Sequence, residues 1–206
     1  MRIAVIGGPG TVGSGIVNLL QQSHEIISIG KTRGDHQVDL LNTQSIEQLF
    51  EGLGPIDGII STIGDGPMAP LLELNAADFQ NAFASKVIAN FNLIKVAVKS
   101  LVPNGFIILT SGIASMNPIP HASTLSVACA GIEAFVRSAA LEETGGIRIN
   151  AVSPAFVKET MELFGMDSSS GISSADTALA YKYLIDNEAN GSIINVPEFL
   201  AQIKES

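Results

Sequence analysis

The sequence predicts an α/β protein built on a doubly wound, seven-stranded parallel sheet, in one domain over residues 1–206. Three observations predict it. Short apolar runs alternate with helical patterns along the whole chain, without an internal repeat or a low-complexity segment. The first apolar run leads directly into closely spaced glycines. The composition, 46% hydrophobic and 15% charged over 206 residues, is that of a compact globule and not of a disordered chain.

The elements follow in order. "RIAVIG" reads as the first strand and Thr11 to Gln22 as the first helix. "EIISIG" is a second strand and "HQVDL" a brief third. Ser45 to Glu51 reads as a helix behind Thr43 as its cap. "IDGIIST" is the next strand. Ala76 to Leu101 places Phe79, Phe83, Val87, Ile94, Val98 and Leu101 in a stripe at helical spacing, which predicts one long helix. "FIILTS" is a strand, Ser123 to Glu143 a helix and "IRINAVS" a strand. Ser174 to Asn187 is a helix capped by Ser173, and "SIINV" is the last strand. Ligands of such sheets bind beyond the carboxyl ends of the strands, so the candidate site residues are those that follow strands.

Charge and cysteine content narrow the classes. With 11 basic and 20 acidic residues the net charge is −9, which excludes broad binding to nucleic acid or to an anionic membrane. Cys129 is the only cysteine, so there is no intrachain disulfide framework, in keeping with a cytoplasmic location. The apolar start of the chain mimics a leader, but its glycines and Pro9 fit strand, loop and helix better. From Ser100 to Ile132 there is no Asp, Glu, Lys or Arg. Pro103, Pro118 and Pro120 make that stretch a poor membrane span. No metal site is expected.

In "VIGGPGTVGSG", Gly7, Gly10 and Gly13 are spaced G-x-x-G-x-x-G between a strand and a helix. Gly7 permits a sharp turn, Gly10 lets backbone approach a pyrophosphate, and Gly13 lets helix and sheet pack closely. The helix N-terminus, at Thr11, Val12 and Gly13, then faces a negative ligand. The second strand ends in Lys31, Thr32 and Arg33, where NAD proteins usually carry an acid for the ribose hydroxyl. A guanidinium there suits a 2′-phosphate, which favours NADP(H), with NAD(H) as the alternative. Asp35, a little further on, is the competing ribose ligand.

Together, "GGPGTVG", "GKTRGDHQVDL", "DGIISTIG", "FIILTSG", "GIRINAVSPAFVKET" and "GSIINV" resemble, in order and spacing, a short-chain dehydrogenase/reductase with a Rossmann-type fold. The likeness covers essentially the whole chain, and the glycine spacing looks like the atypical branch. The resemblance implies that Asp39 and Leu40 lie by the adenine. Thr62, Ile63 and Gly64 take the place of the family's Asn-Ala-Gly. Ser111 matches the serine that hydrogen-bonds the substrate carbonyl. Pro154, Ala155 and Val157 match the segment that orients the nicotinamide, and Thr160 a threonine near the pyrophosphate. The family also implies a homodimer or homotetramer. Ala128, Gly131 and Ala134, small residues at helical spacing, offer a surface for close packing.

The family's proton donor is a Tyr-x-x-x-Lys about a dozen residues after that serine. Counting forward from Ser111 reaches Thr124 or Leu125, and counting back from Phe135 puts the lysine position at Cys129. The only tyrosines, Tyr181 and Tyr183, lie far downstream. Lys86, at or one residue from the family's helix Asn, is one substitute, against the alternative of a snorkelling lysine. His121 has a suitable ordinary pKa but, following "NPIP" in a turn, reads better as a solvated residue at a helix start. Cys129 reads as a small core residue. The expectation is an NADP(H)-dependent oxidoreductase of a small carbonyl or alcohol, with Ser111 and either Lys86 or His121 at the chemistry. The alternative is an NADP(H)-binding sensor or partner subunit with little turnover. A methyltransferase on the same kind of sheet would leave Arg33 and "SPAFVKET" without a role.

Overall fold

The computed structural model describes residues 1–142 and 145–205. Seven strands form one parallel sheet in the order β3-β2-β1-β4-β5-β6-β7. They are β1 (Arg2–Ile6), β2 (Glu25–Gly30), β3 (His36–Gln37), β4 (Ile56–Ser61), β5 (Leu101–Thr110), β6 (Arg148–Ser153) and β7 (Ile193–Asn195). The order reverses at β1, where the chain steps from β3 across to β4. The doubly wound sheet is thus the one the sequence predicts, and the crevice beyond β1 and β4 is the place where sheets of this kind bind ligands.

Both faces are covered, which is why the central strands are apolar without alternation. On one face α2 (Thr43–Leu53), α4 (Ala89–Ala97) and α5 (Ser123–Ala139) bury Phe50, Leu93, Ile132 and Val136 against Ile59 and Ile107. On the other, α1 (Thr11–Leu20), α7 (Ser174–Asp186) and α8 (Val196–Glu205) bury Ile16, Leu20, Tyr181 and Leu184 against Ile3, Val5 and Ile108. Tyr181 is fully buried and donates its hydroxyl to Thr110 Oγ1 at 2.7 Å, and Thr110 in turn donates to Ser61 O at 2.7 Å. Burial raises the Tyr181 pKa well above 10, so this tyrosine is a structural clamp between helix and sheet.

Several local expectations are corrected. The cap of α2 is Asn42, whose side chain accepts from Gln44 N and Ser45 N, and not Thr43, which is already helical. Asn42 outcompetes it because an amide oxygen reaches both free N–H groups. The single helix Ala76–Leu101 is instead α3 (Ala76–Phe83), a π-helical turn (Ala84–Ile88), α4 and a short 3₁₀ turn (Val98–Ser100), with Leu101 already in β5. The wide turn rotates the helix, so the buried line runs through Ala82, Lys86, Ala89, Leu93 and Ala97. Phe83 stays 39% exposed. "HQVDL" pairs only at His36 and Gln37. The expected end of α5 at Glu143 lies outside the described residues. Two helices add to the expected set: α6 (Lys158–Leu163) and α8, whose Pro197 sits in the first turn, where a missing N–H costs nothing.

Candidate functional site

The three glycines of the loop meet different backbone constraints. Gly7 holds φ +81°, and a Cβ there would lie 2.5 Å from Thr62 Oγ1. Thr62 itself donates to Ile6 O through both its N–H and its hydroxyl, tying the end of β4 to β1. A Cβ on Gly13 would stand 2.1 Å from Gly7 O, so helix and loop are in backbone contact. Gly10 is exposed, and a Cβ there would meet only Gly7 O, at 3.1 Å. It caps α1 without a side chain, so the helix N-terminus at Thr11, Val12 and Gly13 carries the uncapped N–H groups that an anion satisfies.

Beside the loop is a cleft of about 330 Å³ lined by Gly7, Gly30, Lys31, Asp39, Leu40 and Ile63 among others. Lys31, Thr32 and Arg33 are exposed at the end of β2. The Arg33 guanidinium donates to Pro9 O at 3.3 Å and so lies against the glycine loop. Asp35 turns the other way: its carboxylate accepts from Ser28 N at 2.8 Å, and its own N–H donates to Ser28 O. Asp35 is therefore occupied along β2 and not at the strand end. The shape and polarity of the cleft, with a bare helix N-terminus at one end and Asp39 and Leu40 at the other, fit a dinucleotide.

A second cavity, about 190 Å³ and mostly apolar, opens on the far side of the Ile63–Asp65 segment. Lys86, Ser111, Cys129, Pro154, Ala155 and Phe156 line it, together with Gly64. Ser111 continues β5, and its N–H donates to Val152 O at 2.8 Å. Lys86 is 4% exposed and does not snorkel. It passes under Gly64 and donates from Nζ to Ile63 O at 3.3 Å. Burial lowers its pKa, offset in part by Cys129 and Asp65, and the Cys129 thiol is pushed up chiefly by its own burial. Val157 is buried where α6 begins and bridges to Ile172, while Thr160 is half-buried within α6.

His121 departs from its expected place. It is exposed at φ +66° in the turn before α5 and is not among the residues lining the cavity. Its position follows from the proline turn, which directs the residue outward. Thr124, at the counted tyrosine position, is buried and donates to Pro67 O at 2.7 Å. Of the small residues on α5, Ala128 is buried rather than exposed, Gly131 is half-buried against Val87 and Phe83, and only Ala134 is open.

Sequence reasoning missed Glu133. It is 3% exposed, and its Oε1 accepts from Ser111 Oγ at 2.6 Å and from Ser115 Oγ at 2.5 Å. Arg137 Nη2 reaches Oε2 at 3.4 Å. The one available signal was that the uncharged stretch ends at this residue, on the buried line Cys129-Ile132-Glu133-Val136 of α5.

Comparison with known proteins identifies the family and supports the fold. Residues 19–196 match the family described as Enoyl-(Acyl carrier protein) reductase. The chain belongs to the short-chain dehydrogenase/reductase superfamily. Among relatives, the hydroxynaphthalene reductase arp2 of Aspergillus fumigatus is 30% identical over 167 residues, covering 75% of this chain but 61% of that protein. Among solved structures, the protein lin1944 from Listeria innocua superposes with a TM-score of 0.89 at 32% identity, covering 95% of this chain and 99% of that one. A small-chain dehydrogenase solved in complex with NADPH superposes with a TM-score of 0.84 at 24% identity, covering 95% of each chain, which speaks to the shared fold. The cleft beside the glycine loop and the Ser111 cavity share one short segment: Ile63 and Asp65 line the first and Gly64 the second. No helix among the described residues is long and apolar enough to cross a membrane.

Proposed function

We propose that the protein is an NADP(H)-dependent oxidoreductase of a small, largely apolar carbonyl or alcohol, with a catalytic site that does without the family's Tyr-x-x-x-Lys pair. The observation that carries this reading is the placement of Ser111 and the buried Lys86 in one apolar cavity beside the dinucleotide cleft. The pyrophosphate would be held at Gly10, Thr11, Val12 and Gly13, and the adenine beside Asp39 and Leu40. Pro154, Ala155 and Val157 would border the nicotinamide. Arg33 against Pro9, with Asp35 turned away, favours the 2′-phosphate of NADP(H). When bound, the nicotinamide supplies or accepts a hydride.

Ser111 touches the substrate oxygen. Lys86 stabilises negative charge that develops on that oxygen, in a cavity whose apolar walls strengthen the interaction. Gly64, Ile113 and Phe156 restrict water and substrate size. The test is single-turnover oxidation of NADPH with a panel of activated ketones and quinones, in the wild type, Ser111→Ala and Lys86→Ala. Turnover that falls by about 10²-fold or more in each variant supports the reading. NADPH binding without turnover across the panel supports instead the sensor or partner-subunit alternative.

A further inference from the structure

We infer that Glu133 is the proton reservoir of this site and works through Ser111, which makes it a positioning residue that sequence comparison with the family motif does not indicate. The inference rests on the oxidoreductase reading above and assigns the origin of the proton within it.

A serine hydroxyl has one proton. In this structure Ser111 directs it to Glu133 Oε1 at 2.6 Å, away from the cavity that Ser111 lines. The lone pairs of Ser111 Oγ are then what a substrate meets. Such a serine accepts a hydrogen bond from an alcohol and cannot at the same time donate one to a ketone. Glu133 has no other route to the substrate, since it lies behind Ser111 and does not line the cavity. Its partners are Ser111 and Ser115 on Oε1 and Arg137 at Oε2, with Cys129 one turn earlier on the same helix. A carboxyl group this deeply buried is kept where it has specific partners.

The step balances. In alcohol oxidation the carbinol carbon gives up a hydride to the oxidised nicotinamide. The substrate O–H bond breaks and its proton passes to Ser111 Oγ. The Ser111 O–H bond breaks in turn, and that proton passes to the Glu133 carboxylate. The products are a ketone, reduced nicotinamide and a neutral Glu133. Carbonyl reduction is the reverse and starts from protonated Glu133, which donates to Ser111 while Ser111 donates to the carbonyl. Two protons move together in either direction.

Three measurements test this. In single-turnover NADPH oxidation by the wild type, the rate plotted against the deuterium fraction of the solvent should bow below a straight line, because two protons are in flight. A straight line overturns the relay without touching the oxidoreductase reading. Glu133→Gln should lower the rate by about 10²- to 10⁴-fold, the usual contribution of a positioned acid, with NADPH affinity unchanged and the bow removed, while Glu133→Asp restores part of the rate. Wild-type rates in Glu133→Gln likewise overturn the relay alone. In protein carrying carboxyl-¹³C glutamate and no substrate, Ser111→Ala should displace the Glu133 resonance, and a signal that stays put overturns the contact itself. Absence of turnover in a wild type that binds NADPH overturns both readings together.

Discussion

Lys86 passes beneath Gly64 so closely that a Cβ on residue 64 would stand 2.5 Å from the Cβ of the lysine. Gly64 also holds φ +103°, a conformation that L side chains rarely adopt. Two separate constraints therefore fix glycine here, and one of them is the close approach of Lys86. Gly64→Ala should cost about 1–3 kcal/mol of stability and lower kcat/KM by roughly 10-fold or more by displacing Lys86. Thermal denaturation and steady-state kinetics read the two effects. A variant unchanged in both would show that the segment is looser than its geometry.

Burial lowers the pKa of Lys86 below its ordinary 10.5. Below 10.5 the unfolded chain holds this proton more firmly than the folded one. The residue's favourable contribution is thus complete above 10.5 and is lost as pH falls through the lowered folded value. At neutral pH the buried lysine is a stability cost. Lys86→Met keeps the apolar stem and removes that cost. It should raise stability at neutral pH by about 0.5–2 kcal/mol while abolishing most turnover. It should also weaken the rise of stability with pH on the alkaline side. Urea unfolding across pH values checks the sign, and a destabilised Lys86→Met would refute it.

Gly10 and Gly13 should separate binding from folding. A Cβ on Gly10 would meet only one atom, whereas a Cβ on Gly13 would overlap the Gly7 carbonyl at 2.1 Å. Gly10→Val should remain folded and lose NADPH affinity by roughly 100-fold, about 2.7 kcal/mol. Gly13→Ala should unfold at lower denaturant because α1 must move off the loop. Calorimetry showing unchanged affinity in folded Gly10→Val would remove the pyrophosphate from this loop.

The parallel sheet was legible because strands buried on both faces leave unbroken apolar runs, and the glycine loop because its spacing is set by local backbone geometry. Thr43 competes with Asn42 in the sequence because two adjacent residues can each cap a helix, and only the backbone direction decides between them. The stripe Phe79, Phe83 and Val87 misdirected the reading of the long helix, since one π-helical turn shifts the buried line to Ala82, Lys86 and Ala89. Ser111 and Lys86, which line one cavity, are both candidates from the sequence, Ser111 by its match to the family's serine and Lys86 by its place near the family's helix Asn. Glu133 is not, because its link to Ser111 spans 22 residues and depends on the tertiary packing of α5 against the loop after β5.

Phe83, Ile88 and Phe91 are exposed on α3, the π-helical turn and α4, and Val127 is exposed on α5, which also carries half-buried Gly131. Burial of such side chains against a second copy contributes about 25 cal/mol for each Å² removed from water. The chain should therefore be a homodimer or homotetramer at micromolar concentration. Light scattering on the wild type and on the double variant Phe91→Asp, Val127→Glu should show the loss of that assembly. A monomeric wild type would refute it.

Arg33 should set the choice between NADP(H) and NAD(H). Its guanidinium is exposed, lies within 3.3 Å of Pro9 O in the glycine loop, and is free to form a bidentate contact with a 2′-phosphate. The competing acid is committed elsewhere, since Asp35 bonds Ser28 N along β2. A charge-assisted hydrogen bond contributes about 1.5–3 kcal/mol, equivalent to roughly 10- to 100-fold in affinity. Arg33→Ala should lose that factor for NADPH and almost none for NADH. Because the contact is exposed, the wild-type preference should also shrink as salt is raised. Titration of both cofactors by fluorescence or calorimetry, at low and high salt, reads each outcome. Equal affinity of the wild type for the two cofactors would mean that the ribose is held by other groups, and that Arg33 only steadies the glycine loop.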